Sequence, residues 1–538
     1  MHGSIMTLCL GCARFGVGHI QVNGEDRFMN SQNQVTVTID TTVTPQPYSR
    51  MLFGGFLEHF DSQIYGGVYE PGSPLADAAG FRLDVMAALR ELKSSIIRWP
   101  GGCFVDSYHW QTGVGRARQP HGDFRWGVVE PNAFGTHEFV EFCRRLGAEP
   151  YICQNGLASP RENLDWVDYC NATSGPMAEL RKANGYPDPL DVKFWSVGNE
   201  RYDKAYINRV RETVQAMKGA DPTVQVTCSG SQGDGGRCMP GVKPYLLETA
   251  GQYLDYVSVH NYWLDRGDPV PHYDYLTAIT TCDMPEAYLR IVTESLAKAG
   301  HGRLQIAFDE WNLRAWQHPG FPRDGVEDYE APEVRERVAQ RQRENDLPSQ
   351  YTMADALFSA SFLNACLRYA GQVTMANIAP LVNTRGPLFV HPVGIVKRTH
   401  FHALAMYANL LQECMAATTV ESAKLAHGDQ SVAMVDAVAT VDKSGQRWSV
   451  AVINRHPDMA VNCMLNLGGI PLNGSFHATQ LSGDSPDAYN DIEHPNRVSP
   501  RSVDLRFVDG MVSLPPHSLI IVIMLEGGNN GIYRMCEL

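Results

Sequence analysis

Two glutamates end apolar runs far apart in the chain. Glu200 closes VKFWSVGNE (192–200) behind Asn199, and Glu310 closes RLQIAFDE (303–310) behind Asp309. Paired carboxyl groups suit glycoside hydrolysis: one, protonated, donates to the leaving oxygen, and the other attacks the anomeric carbon. Retention of configuration needs them about 5–5.5 Å apart, whereas inversion leaves room for water at roughly 6.5–9.5 Å. The two are 310 − 200 = 110 positions apart, so only a closed fold brings them together.

Other polar residues close apolar segments in the same way: Glu58, Arg98, Asn155, and His260 with Tyr262. Singly, each has a plain structural explanation. Gly-Asn-Glu makes a strand-end turn, Arg98 pairs with a carboxylate, and His260 and Tyr262 pack. Several such endings on one scaffold converge on a site, because a core-forming strand avoids polar ends unless a cavity receives them.

The elements that must position them are eight short apolar segments, at 50–58, 94–100, 149–155, 192–200, 223–231, 254–262, 303–310 and 372–380. Helical stretches such as 81–93, 136–147, 205–220 and 353–371 separate them. This alternation predicts parallel strands joined by helical crossovers, an α/β (β/α)8 TIM barrel with chemistry at the carboxyl ends of its strands. No glycine-rich dinucleotide fingerprint follows the first strand. Beyond about 412 the pattern turns to short alternating segments, among them 431–442, 447–455 and 511–525, which predict a C-terminal antiparallel β-sandwich of jelly-roll-like kind. VTVTID (35–40) is a strand ahead of the barrel that could join that sheet. The expected organisation is a weakly structured extension over 1–34, a strand at 35–45 joining the sandwich, a catalytic barrel over 46–400 and the sandwich over 401–538. The charge-rich stretch 317–350 reads as a solvated insertion, with a flap over the site as the alternative.

Composition narrows the class. At 538 residues, 44% apolar and 19% charged, the chain is long enough for a barrel and a second module. A formal charge of −14 disfavours nucleic acid as a partner and suits a neutral substrate. Thirteen cysteines without a Cys-x-x-Cys array predict reduced, packed thiols in a cytoplasmic protein. No apolar run reaches the 18 residues of a membrane span, and the start lacks the basic region of a signal peptide. There is no His-Glu-x-x-His, and His400 and His402 sit on an apolar helical segment, as packing residues rather than ligands. No metal or cofactor is expected.

From about residue 35 onward the sequence resembles glycoside hydrolase family 51, the α-L-arabinofuranosidases. The resemblance rests on LFGGFLEHFDSQIYGG (52–67), IIRWPGGCF (96–104), EPYICQN (149–155), WSVGNE (195–200), HNYW (260–263), FDEWN (308–312) and NIAPLVNTRGPLFVHPVGIVKRT (377–399), in order. It implies a retaining, exo-acting enzyme that removes terminal α-L-arabinofuranose from arabinoxylan, arabinan or their oligosaccharides without a metal, commonly as a homohexamer. It implies Glu200 as acid/base and Glu310 as nucleophile, with Asn199 on the sugar 2-hydroxyl, Glu58 and Arg98 holding hydroxyls or balancing charge, and Tyr262 orienting Glu310. Cys103, His260 and Trp316 complete the expected substrate-binding set. With Glu310 ionised, its charge favours a protonated Glu200. The chain departs from the common pattern at Cys103, where many members have Asn, at Pro380, where many have Gln, and at Arg314, where an aromatic is frequent; these departures bear on sugar or leaving-group preference. The competing readings are a same-fold retaining glycosidase on another sugar (endo-glucanase, xylanase or other furanosidase) and a carbohydrate-binding protein with a decayed barrel.

Overall fold

The computed structural model describes residues 35–535 apart from 124, 232–238, 265–272, 322–327 and 528–531. The expected extension over 1–34 lies outside the described residues.

One sheet contains eight parallel strands: Gly54–Phe56, Ile96–Trp99, Glu149–Gln154, Phe194–Val197, Gln225–Cys228, Tyr256–Leu264, Gln305–Arg314 and Val373–Ile378, the first to eighth barrel strands. The eighth pairs with the first, and a parallel bridge between Ser229 and Ser258 joins the fifth to the sixth, so the sheet closes. Each of the eight apolar segments supplies one strand. The first is shorter than its sequence suggests. Arg50–Phe53 forms a 3-10 turn capped by the Ser49 side chain, and pairing begins only at Gly54. A Cβ at Gly54 would lie 2.7 Å from the Ala376 carbonyl oxygen and 2.8 Å from Ile96, so glycine permits the close approach of both neighbouring strands.

Helices Leu83–Glu91, Thr136–Leu146, Lys204–Ala220 and Met353–Arg368 occupy the helical stretches of the sequence. Most show one apolar stripe toward the barrel. Met353–Arg368 is buried over nearly its whole circumference, because it runs between the barrel and the second module. Thr399–Leu410 lies beside it, with His400 and His402 buried; burial holds both imidazoles down, to about 4.

The strands of the second module begin at Cys414–Glu421. The N-terminal strand Val35–Asp40 lies between two of them, antiparallel to Cys414–Glu421 and parallel to Val461–Leu467. Its alternating pattern explains why: Val35, Val37 and Ile39 enter the sandwich core while Thr36 and Thr38 do not. Among the described residues the other strand pairings of this module are antiparallel; its inner face has its own core, around Val37, Val450 and Val522, while Val438, Ala451 and Ile521 on the other face join the core of the barrel. Among the described residues, no helix is long and apolar enough to cross a membrane, and nine cysteines are free thiols.

Candidate active site

The carboxyl ends of the strands surround a cavity of about 170 Å³. Glu58, Cys103, Asn199, Glu200, Tyr262, Glu310 and Trp316 all line it. Arg98 and His260 stand behind its wall, where they engage the carboxylates. Asn155 does not join them: its amide donates to the carbonyls of Asp106 and Tyr108 and accepts from the Leu157 N–H, which builds the loop after the third strand.

Glu200 reaches the cavity through a turn. The fourth strand stops at Val197; Gly198 has φ +75° and Glu200 itself φ +45°. A Cβ at Gly198 would approach the Tyr206 ring to 2.8 Å, so the position needs glycine for both space and backbone. A left-handed glutamate is uncommon, and such conformations concentrate at functional sites.

Glu310 is aimed by a bulge. Between Ala307 and Glu310 the seventh strand has one residue more than the sixth offers between Ser258 and His260. It also has one more than the eighth between Ala376 and Ile378. In a regular strand Asp309 and Glu310 would face opposite sides; the extra residue turns both inward.

The Glu310 carboxylate is then fixed at both oxygens. Arg98 Nη1 donates to Oε1 at 2.7 Å and the Tyr262 hydroxyl to Oε2 at 3.0 Å. Burial pushes the Glu310 pKa up, as does the Glu200 charge, against the pull of His260 and Arg98. Arg98 is fully buried and its Nη2 donates to the Asn199 amide oxygen at 2.8 Å, which leaves the Asn199 NH2 as a donor on the cavity side. One oxygen of Glu200, one of Glu310 and a ring nitrogen of His260 all lie within 4.8 Å of one another.

Glu58 lies against the turn after the second strand. A Cβ on Gly101 would sit 2.2 Å from its Cγ, and one on Gly102 2.8 Å from its Oε2, so the glycine pair makes room for this acid. Its Oε1 accepts from the Phe104 N–H at 2.8 Å and from Trp126 Nε1 at 3.1 Å, while Oε2 is buried without a partner. Burial, followed by the charges of Glu310 and Asp123, raises the Glu58 pKa well above the usual range. Burial and the charges of Glu200 and Glu58 likewise push the Cys103 thiol well up, so it remains a thiol.

Three lining residues escape the sequence reading: Arg125, Trp126 and His318. The first two sit on the turn of a hairpin, His121–Asp123 with Val128–Glu130, held by the Asp123 carboxylate, which accepts the N–H groups of Arg125 and Trp126. The usable signal was length: about 35 residues separate the second strand from the next helix, and connections this long inside a domain usually carry function. Trp126 stacks on Phe60 at 3.8 Å, and Tyr262 meets Trp316 edge-on at 4.9 Å, which gives the cavity an aromatic wall. The stretch after Trp316 is tied to the barrel: the Gln317 N–H donates to Asn345, whose amide donates to Asp61. Much of helix Pro332–Asn345 beyond it is solvent-facing. Arg314, one of the departures, does not line the cavity; it is buried in a bidentate pair with Asp355 at 2.8 and 3.0 Å.

A (β/α)8 barrel whose mouth sets two carboxyl groups across a cavity of this size has the arrangement that glycoside hydrolysis requires. Sequence comparison agrees. Residues 88–275 match the model of the α-L-arabinofuranosidase 1 domain and residues 309–518 that of the α-L-arabinofuranosidase C-terminal domain. Alpha-L-arabinofuranosidase C of Emericella nidulans is 31% identical over 475 residues, 82% of this chain and 88% of that protein. The intracellular exo-α-(1→5)-L-arabinofuranosidase of Streptomyces lividans is 29% identical over 87% of this chain and 71% of that one. The structure of the family 51 α-L-arabinofuranosidase of Thermotoga petrophila superposes with a TM-score of 0.78 at 29% identity, covering 91% of this chain and 99% of that one. The chain belongs to the α-L-arabinofuranosidases of glycoside hydrolase family 51.

Proposed function

We propose that this α-L-arabinofuranosidase is exo-acting and retaining, and removes terminal non-reducing α-L-arabinofuranosyl residues from arabinoxylan, arabinan or arabino-oligosaccharides by double displacement. The observation that carries this reading is the approach of the Glu200 and Glu310 carboxyl oxygens to within 4.8 Å, close to the spacing of a nucleophile pair and short of that which admits a water. The cavity, about 170 Å³, is smaller than the roughly 300–1,000 Å³ of clefts that hold drug-sized ligands, which supports capture of one chain-end pentose.

In the first step Glu310 forms a bond to C1 while the C1–O electron pair leaves with the glycosidic oxygen, which takes the proton of Glu200. In the second, Glu200 takes a proton from water, the water oxygen bonds to C1, and Glu310 departs as carboxylate. One water is consumed and both acids return to their starting states. Arg98 and Tyr262 hold Glu310 in line, and the Asn199 amide donates to the sugar 2-hydroxyl beside it. Glu58 and Cys103 take the far hydroxyls, and Trp316 covers the ring face. A cytoplasmic location is supported by the free thiols and by the relative named intracellular; assembly as a homo-oligomer rests on the family resemblance.

The test is hydrolysis of 4-nitrophenyl α-L-arabinofuranoside followed by proton NMR. Retention requires the α-anomer of arabinose to appear first; initial β-anomer would refute double displacement. Release of arabinose alone from arabinan supports exo action, and a ladder of oligosaccharides refutes it.

A further inference from the structure

Asp309 is the acid that the reaction does not use. It is wholly buried, and the bulge that aims Glu310 into the cavity aims Asp309 beneath it. Its Oδ2 accepts from the Tyr151 hydroxyl at 2.7 Å and lies 3.5 Å from Arg98 Nε. Its Oδ1 accepts from the Ser258 hydroxyl at 2.6 Å and lies 3.2 Å from His260 Nε2. Burial works against the charge of Asp309, but Arg98, His260 and Ser258 outweigh it and bring its pKa to about 2.

An anionic Asp309 decides what His260 is. The one hydroxyl proton of Ser258 goes to Asp309, so the Ser258 oxygen, 3.1 Å from Nε2, can only accept there. Both of the described groups facing Nε2 are therefore acceptors, and Nε2 carries a proton. On the other side of the ring, Nδ1 lies 3.1 Å from Glu200 Oε1 and 3.6 Å from Glu310 Oε2. Among the described residues, three carboxyl groups thus face one imidazole. The cation nearest it in this network, Arg98, is shared among Asp309, Glu310 and Asn199. Cys153 and Cys228, also near Asp309, remain thiols because burial raises both, to about 11 and out of the titrating range respectively. The buried Tyr151 is likewise kept neutral. With Asp309 and Glu310 anionic and Arg98 cationic, a second positive charge balances the cluster.

We propose that Asp309 is a positioning residue, the counter-ion that keeps His260 an imidazolium, and that the Nδ1–H of His260 in turn donates to Glu200 Oε1. Because Oε1 is then the carbonyl oxygen of the protonated acid, the transferable proton sits on Oε2 and faces the leaving oxygen. A neutral imidazole would do the reverse: its bare Nδ1 would draw the Glu200 proton to Oε1, away from the substrate. The inference rests on Glu200 as acid/base, and it adds the group that orients its proton.

The experiment is nitrogen-15 NMR of histidine-labelled protein, with kinetics of Asp309→Asn. In the unmodified enzyme both ring nitrogens of His260 are expected at imidazolium shifts at pH 7; a neutral ring there overturns the proposal without recourse to any variant. In Asp309→Asn the Nδ1 signal should move to the unprotonated range. There kcat on an arabino-oligosaccharide should fall at least about 10²-fold with KM little changed, while kcat/KM on a 2,4-dinitrophenyl arabinofuranoside, which needs little protonation, falls less than about 10-fold. An equal loss on both substrates would mean general distortion and would reject the counter-ion role. Glu200→Ala measured on the same substrates tests the underlying assignment separately: if it shows no leaving-group dependence, the acid/base reading fails whatever the charge on His260.

Discussion

Two buried clusters of charge, one at the barrel mouth and one at the seam with the sandwich, are built from the same residue types and behave differently. At the seam, Asp436 meets a guanidinium on each oxygen: Arg368 on Oδ1 and Arg455 on Oδ2 at 3.2 Å, with Asn364 also on Oδ2 at 2.9 Å. Arg455 continues to Asp283 at 2.8 Å and Arg368 to Glu286 at 2.8 Å. Burial of Asp436 is outweighed by its two arginines, and its pKa is lowered. At the mouth Glu58 keeps an unpartnered oxygen, and the pKa values of Glu58 and Glu310 are raised. At the seam the central carboxylate of Asp436 is paired on both oxygens. At the mouth the acids stay under-compensated, with raised pKa values of the kind that cluster at functional sites.

The largest effect expected from breaking this contrast is at Glu310. Glu310→Ala should reduce kcat on 4-nitrophenyl α-L-arabinofuranoside by roughly 10⁴-fold or more, while the melting temperature holds or rises, because a buried acid with a raised pKa is removed. Glu200→Ala should come next, with a loss of about 10²–10⁴-fold on oligosaccharides, a smaller one on activated aryl glycosides, and partial recovery with azide.

The seam should answer in the opposite currency of measurement. Arg455→Met removes one of the two guanidinium groups on the buried Asp436 and should cost about 3–5 kcal/mol of stability in denaturant unfolding, with kcat of the folded fraction unchanged. Replacing Arg455 and Asp436 together by apolar residues should recover much of that loss.

The smallest effect is a difference in the sign of pH dependence. Asp123, buried beside the site, is raised from 3.8 to about 6, chiefly by burial. Its unfolded form loses the proton first, so its contribution should weaken stability as pH rises from about 4 to 6, by on the order of 3 kcal/mol. Asp123→Asn should flatten that slope. Asp436, with its lowered pKa, should do the reverse: its contribution is present above the unfolded value and lost as pH falls through the folded one. Thermal melts from pH 3 to 8 on the two single variants separate the signs, and identical profiles would erase the distinction between the clusters.

Much of this was legible without coordinates. The eight strands were readable because apolar runs of strand length alternate with helical periodicity, and that pattern lies within a few neighbouring residues. Glu200 and Glu310 stood out because an acid at the end of a buried strand conflicts with its surroundings. Trp126 and Arg125 were hidden because nothing in a surface-length hairpin marks which turn folds back over the mouth. Asp309 was visible as a strand-end acid, but its orientation was not: alternation assigns it the face opposite Glu310, and only the bulge overturns that.

The sequence by itself determined the barrel and the sandwich strand contributed by 35–40, and it singled out Glu200 and Glu310 as the candidate acids, since each follows from local patterning of apolar and polar residues. Tertiary structure alone decided that the carboxyl oxygens come within 4.8 Å, that Glu58 keeps an open oxygen, and that Asp309 lies under His260. Those facts depend on how a closed sheet, a one-residue bulge and two glycine turns add up in space, and no stretch of neighbouring residues contains that sum.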